Sequence, residues 1–284
     1  GDLHAVTMTA ELSQAFRTKR EGVGFVLDAL EAAFPQGKFQ VYTVEGRFVN
    51  PSEARARPLS VGAANWAATA CLVARTVPTC ILLDVGTTSA DLIPIVNGQV
   101  VVEGRTDPAR LLSGELVYTG ALRTPTEAVT AQVPLWGGNA GVSAEGFALI
   151  GDAHLWRGRL SSADYTCATP DGRPATREFA GERLARTVCA DREMLDDVAL
   201  DAIAGALASA QVGSVAAALQ RILERWPVIT TAVVAGLGDF IAADAADRVG
   251  LHTVRLADRL GESARTAPAA AVAWLLWYGL ESSG

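Results

Sequence analysis

The segment Asp84-Val-Gly-Thr-Thr-Ser-Ala-Asp91 gathers the residue types that handle phosphate. Gly86 permits a tight turn whose backbone N–H groups converge as an anion cradle, and the hydroxyls of Thr87, Thr88 and Ser89 add donors. Carboxylates stand at both ends. Asp84 closes an apolar run and is the candidate ligand for Mg2+, a cation that takes oxygen ligands and keeps several waters. The competing reading is a plain hairpin whose hydroxyls only satisfy the turn. The two flanking carboxylates and the apolar runs on either side favour the phosphate site.

Two further groupings belong with this turn. Gly236-Leu-Gly238 follows a β-branched run and precedes a helical pattern, an arrangement that lets a nucleotide or diphosphate approach a helix N-terminus. A dinucleotide fingerprint fails here, because Ile241 stands where its third glycine belongs. Gly114-Glu-Leu-Val-Tyr-Thr-Gly-Ala-Leu-Arg-Thr-Pro125 packs Glu115, Tyr118, Thr119, Gly120 and Arg123 between glycines, as a loop lining a cleft would, with Arg123 as a phosphate fork. Arg105, Thr106, Asp107 and Arg110 lie just upstream and could share that cleft. Gly141 to Gly146 is one residue too long for a nucleophile elbow. Trp136 to Asn139 reads as a loop, Asp171-Gly172 as a turn, and Asn65-Trp66 as helix packing.

The elements that must position these residues follow from periodicity. Cys80 to Val85 is a continuous apolar strand, and Ala90 to Val96 is its partner across the turn. Asn97-Gly98 signals a second hairpin leading to a strand at Gln99 to Glu103. Upstream, a strand is expected at His4 to Thr9, a helix at Glu21 to Phe34, a hairpin from Phe39 to Val49 and an Ala-rich helix from Ala63 to Val77. Downstream, helical patterns cover Thr176 to Ala190, Arg192 to Ala208 and Val212 to Trp226. A strand at Val228 to Ala235, a helix at Asp239 to Val249, a strand at Leu251 to Leu256 and a helix from Pro268 close the chain. Strands alternating with helices place the chain in the α/β class.

Composition narrows the function. The 284 residues are 50% hydrophobic and 19% charged, enough for one large domain or two modest ones with a sizeable core. The net charge is −7 and the positive residues are scattered, so no basic face exists for nucleic acid. Three histidines lie far apart and four cysteines lack ligand spacing, which argues against a zinc site and for free thiols in a reducing compartment. The apolar run from Pro268 to Leu280 falls short of the ~20 residues that span a bilayer. A cytoplasmic protein without membrane partners is the expectation, and a homo-oligomer is compatible with the sequence.

In order, these segments resemble a known superfold. The strand–Asp–Gly–Thr–Thr hairpin and the later strand–Gly-x-Gly–helix are similar to the second phosphate loop and the adenosine loop of the actin/sugar-kinase/Hsp70 superfold, a two-lobed, ribonuclease H-like arrangement. Within it, DVGTTSADLIPI (Asp84 to Ile95) resembles the hydantoinase A/oxoprolinase branch. HAVTMTAEL (His4 to Leu12), ANW (Ala64 to Trp66), GRTD (Gly104 to Asp107), GELVYTGALRTP and TPDGR (Thr169 to Arg173) narrow the resemblance to tetrahydromethanopterin-linked C1-transfer proteins related to methanofuran synthase.

The resemblance implies a lobe of residues 1–79 plus 266–284 and a second lobe of 80–265. It also implies a condensation in which a furanmethyl diphosphate loses pyrophosphate to the phenol oxygen of a tyramine- or tyrosine-type acceptor. Asp84, Gly86, Thr87, Thr88, Ser89 and Arg123 would meet the diphosphate, with Tyr118, Thr119, Gly120, Gly236 and Gly238 completing the binding surface. Mg2+ would sit at Asp84. The general base would be Asp91, Glu115 or Asp107. An ATP-dependent kinase or hydrolase, or a non-catalytic nucleotide-binding protein, would share the same loops. Family members carry a first phosphate-loop hairpin near their start. No such segment precedes Gly1 here, so the expectation is a missing hairpin.

Overall fold

The computed structural model describes residues 2–281. At its start β1 (Leu3–Val6) pairs in parallel with β2 (Lys38–Tyr42), which pairs antiparallel with β3 (Phe48–Val49). A parallel pair requires a crossover, and the Lys19–Ala33 helix supplies it. Thr18 begins that helix by accepting a hydrogen bond from the Glu21 amide, satisfying one of the free donors of the first turn. Val23 and Leu27 of the helix pack with Val6, Val41 and Val49.

The later strands are β4 (Cys80–Val85), β5 (Ala90–Val96), β6 (Gln99–Val100), β7 (Leu116–Val117), β8 (Gln132–Leu135), β9 (Gly138–Gly141), β10 (Thr231–Ala235) and β11 (His252–Arg255). All but β8 and β9 form one six-stranded sheet, ordered β11-β10-β4-β5-β6 with β7 also paired to β5. The pairs β4–β10 and β10–β11 are parallel, and β4–β5 is antiparallel. The chain is thus an α/β protein with mixed sheets.

Successive side chains of a strand point to opposite faces, and this sheet is covered on both. Ile81, Leu83 and Val85 of β4, with Leu92 of β5, join the core under the Asp197–Arg225 and Asp239–Arg248 helices. Cys80, Leu82, Ile93 and Ile95 join the core under the Asn65–Ala74 and Ala267–Glu281 helices. Coverage on both faces is why β4 reads as an unbroken apolar run. Within β4 only Asp84 is not fully buried. Residues on either side of position 79 share one core, since Tyr42, Val44 and Trp66 cluster with Leu82, Ile93 and Val233.

Four expectations change. Trp136 to Asn139 is not a loop but the tip of the β8–β9 hairpin, with Trp136 (φ 49°) and Gly137 (φ 82°) both left-handed at its turn, as a two-residue hairpin connection requires. The patterns at 192–208 and 212–226 are one continuous helix, Asp197–Arg225. Ser209, Ala210 and Gln211 interrupt the apolar pattern, but none of them breaks backbone helicity. The β6 strand stops at Val100 rather than Glu103. Finally, the longest apolar helix is Asp197–Arg225, which by length and composition alone is sufficient to cross a membrane. More than half of its apolar window is buried inside the protein, where it covers the sheet.

Candidate phosphate site

Asp84 lies directly opposite Asp91 in the β4–β5 register. Directly paired residues on one face of an antiparallel ladder bring their Cβ atoms to about 4.5–5.5 Å. The four-residue turn Gly86–Ser89 closes above them and is half-buried. Its Gly86, Thr87 and Ser89 carbonyls are tied down. The Gly86 amide donates to Ser89 O at 2.9 Å, the Ala121 amide to Gly86 O at 2.8 Å, and the Leu122 and Arg123 amides to Thr87 O at 3.1 and 2.9 Å. Among the described residues, the Thr87, Thr88 and Ser89 amides donate to no protein acceptor. A turn held by its Gly86, Thr87 and Ser89 carbonyls while three successive N–H groups stay free is an anion cradle in the physical sense.

Two glycines make this arrangement sterically feasible. A Cβ on Gly120 would stand 2.4 Å from Thr88 N and 2.6 Å from Thr87 C, so the 114–125 loop touches the turn backbone to backbone. At Gly236 (φ 86°) a Cβ would fall 2.4 Å from Val85 O and 2.5 Å from Asp84 Oδ1. Next to it the Gly238 amide donates to Val85 O at 2.8 Å. The Gly236–Gly238 loop, the Asp84 carboxylate and the Gly86–Ser89 turn therefore form one surface at the carboxyl ends of β4 and β10, the end of an open α/β sheet where ligands bind.

The carboxylates are unusual. Asp84 is pushed up to about 7, first by burial and then by the charge of Asp91. Burial also raises Asp91, while the guanidinium of Arg110 opposes that rise at 2.9 Å. Arg110 is buried, stacks over the Trp66 ring at 4.3 Å from its centroid and donates to Glu115 O at 2.8 Å. Beyond it, Asp107 pairs with Lys19. Burial raises Glu11, which feels Lys19 and Asp107. A line of charges thus runs from the first sheet to the phosphate turn.

The structure brings Asp84, Asp91, Gly86, Thr87, Thr88, Ser89, Gly120, Gly236 and Gly238 together. Arg123 is exposed, with its amide on the turn. Tyr118 points outward and is 61% exposed. Two candidates take other roles. Glu115 is fully buried and accepts from the Glu103 and Gly104 amides at 2.7 and 2.9 Å, so it braces its loop and is badly placed to act as a base. The Thr119 hydroxyl is spent on Thr124 Oγ1 and Gln211 Nε2, at 3.2 and 2.9 Å, inside the protein. Arg110 was expected only as a possible neighbour of the cleft, and its pairing with Asp91 is decided by the fold; Trp66 and Gln211 escape the sequence reading as site residues. Gln211 has a visible signal, as a lone amide on an apolar helix face, and it is buried, holding Gly120 O at 2.8 Å.

Comparison with known proteins identifies the family. Residues 2–277 match the family model described as hydantoinase/oxoprolinase. A protein of Methanocaldococcus jannaschii named (4-{4-[2-(gamma-L-glutamylamino)ethyl]phenoxymethyl}furan-2-yl)methanamine synthase is 37% identical over 282 residues, covering 99% of this chain and 84% of its own length. A protein of the same name from Methanococcus vannielii is 32% identical over 166 residues, covering 58% of this chain and 74% of its own. Among solved structures, nucleotide-free acetone carboxylase superposes with a TM-score of 0.58 at 17% identity over 89% of this chain. This chain spans 37% of that carboxylase chain, and the likeness is one of fold.

Proposed function

The chain belongs to the hydantoinase/oxoprolinase family, and from that premise we propose that it is a synthase of methanofuran-type cofactor biosynthesis. It joins a furanmethyl diphosphate to the phenol of a tyramine- or tyrosine-type acceptor. The phenol oxygen forms a C–O bond to the furan methylene while the C–O bond to the diphosphate breaks. Pyrophosphate leaves with the electron pair, and the phenolic proton passes to a carboxylate. A synthase that is 37% identical over 99% of this chain, and whose name gives a phenoxymethylfuran as its product, supports the choice of substrates. The observation that carries the chemistry is the Gly86–Ser89 turn, with its carbonyls anchored and its three following amides free.

The roles follow from that geometry. The Thr87, Thr88 and Ser89 amides hold the diphosphate and stabilise the charge that develops on it as it departs. Arg123, exposed beside the turn, adds a guanidinium fork. Asp91 is the acceptor for the phenolic proton, since Arg110 fixes its orientation and burial raises its proton affinity. The residues also fit Mg2+. Asp84 and Asp91 face each other beside the cradle, and among the described residues no group of three or more His, Cys, Asp or Glu forms a protein cage. That suits an ion held by one or two carboxylates, several waters and substrate phosphate. Asp84 would hold it, and it would supply neutralisation of the leaving diphosphate.

The two-lobed actin/sugar-kinase/Hsp70-like arrangement, with lobes 1–79 plus 266–284 and 80–265, belongs to the same proposal. The test is to supply an aminomethyl-furanmethyl diphosphate with tyramine and Mg2+, and to measure pyrophosphate and the ether product with and without ATP. Pyrophosphate equal to ether, with ATP untouched, is expected. ATP turnover coupled to product, which the Gly236–Gly238 loop would equally serve, replaces the proposal with a kinase-like reaction. Absence of both products removes it.

A further inference from the structure

A cavity of about 370 Å3 lies between the end of the Ile150–Trp156 helix, the middle of the Asp197–Arg225 helix and the Asp239–Arg248 helix, and no residue of the phosphate turn lines it. That volume is within the range of small-ligand sites. Three guanidinium groups, Arg157, Arg159 and Arg248, outnumber its two carboxylates, Asp244 and Asp247. Arg159 reaches Asp244 at 3.3 Å and stacks over Phe240, and Arg248 donates to Ser209 Oγ at 2.9 Å. Among the described residues the Arg157 side chain has no hydrogen-bond or ion-pair partner.

His154 forms part of the wall and is buried, 2% exposed. Its protonation can be deduced from the hydrogen bonds around it. Gln211 Nε2 donates to Gly120 O at 2.8 Å, and a carbonyl only accepts, so the amide oxygen of Gln211 faces the other way. That oxygen lies 2.7 Å from His154 Nε2, which must therefore carry the proton. Burial holds the ring neutral, with its pKa pushed down to about 4. The second nitrogen, Nδ1, is then a bare lone pair, and it has no partner. A buried acceptor left unmatched beside the unpaired Arg157 guanidinium and the weakly paired Arg159 calls for a ligand that supplies both a donor and negative charge.

We propose that this cavity is a second ligand site, for a small anion bearing an O–H donor next to its charge, of the hydrogen phosphate or 2-hydroxy carboxylate class. Its anionic oxygens meet Arg157 and Arg159, and its O–H donates to His154 Nδ1. Phe240 is the wall that yields. Its ring packs edge-on against His154 at 4.9 Å with Arg159 on it at 4.7 Å, and Nδ1 itself is buried. Through Gln211 the site is hydrogen-bonded to Thr119 and Gly120, the segment that presses on the phosphate turn. The site is independent of the reaction proposed above.

The full chain, uniformly labelled with 15N, is titrated above neutral pH with hydrogen phosphate, glycolate, sulfate or acetate at constant ionic strength. His154→Gln identifies the His154 signal by its loss. Hydrogen phosphate, glycolate or both should move the Nδ1 resonance, and whichever responds names the class. Sulfate and acetate, lacking the donor, should not move it. Arg157→Ala, at an exposed helix end, should weaken the response roughly tenfold, the loss of one charge-assisted hydrogen bond. Phosphate held only at the turn would shift the Thr87 and Thr88 amides, leave Nδ1 still and ignore Arg157→Ala. That result, or an equal response to sulfate, overturns the proposal.

Discussion

Asp84→Asn keeps the shape of the side chain and removes its charge. In the folded protein Asp84 is pushed up to about 7 from its ordinary 3.8, by burial and by Asp91 opposite. Between those values the folded protein keeps a proton that the unfolded chain releases. The stability contributed by the protonated group is therefore fully present below about pH 4 and is lost as the pH rises to about 7. Three units at ~1.36 kcal/mol each would amount to about 4 kcal/mol. Solvent reaching the half-buried side chain reduces that to roughly 2–3 kcal/mol. Urea unfolding of both proteins at about pH 5 and about pH 8 reads the roughly two thirds of it that is lost between those values. Glu11, Asp91 and Asp152 are also raised by burial and add slopes of the same sign, so the informative quantity is the difference between the two proteins. The Asn protein should be the more stable of the pair at about pH 8, with the gap narrowing toward acid, while turnover falls by about a hundredfold or more. A variant weakened equally at both pH values, with turnover lost only in proportion, would make Asp84 a structural residue and refute the reasoning.

Two further substitutions separate steric fit from chemistry. Gly120→Ala places a methyl 2.4 Å from Thr88 N, which the turn can relieve only by moving. The expected costs are about 1–3 kcal/mol of stability and, from a displacement near 1 Å, about a hundredfold in turnover. Gly141→Ala, with open space around it and no left-handed backbone, should change neither in the same thermal and steady-state assays. Glu115→Gln replaces a buried acceptor of two amides with a group that can satisfy only one of them. Stability should drop by about 1–3 kcal/mol, while turnover per folded molecule, measured after correcting for the folded fraction, stays within a few-fold. A large loss in turnover at unchanged stability would return Glu115 to the role of base.

The turn between β4 and β5 was legible in the sequence because everything that makes it is local. An apolar run buried on both faces marks β4, Gly86 and the hydroxyls mark the turn, and a four-residue connection places Asp84 opposite Asp91 whatever the rest of the chain does. The strand before Gly236 was legible for the same reason, since its β-branched residues and the glycines after it are contiguous. The partners of these groups were not. That Arg110 neutralises Asp91 while lying over Trp66, that Glu115 is consumed by the Glu103 and Gly104 amides, and that Gln211 reaches across to Gly120 all depend on segments far apart in the chain meeting in one core. Residue spacing shows which face of an element is apolar, but it does not show what that face will meet. A polar residue in an apolar pattern therefore looks like a break, as at Gln211, until packing supplies the partners that offset its burial. Sequence alone determined the turn and its two carboxylates. Tertiary structure decided which charges are free to react and which are already paired, because desolvation and pairing are properties of the assembled core.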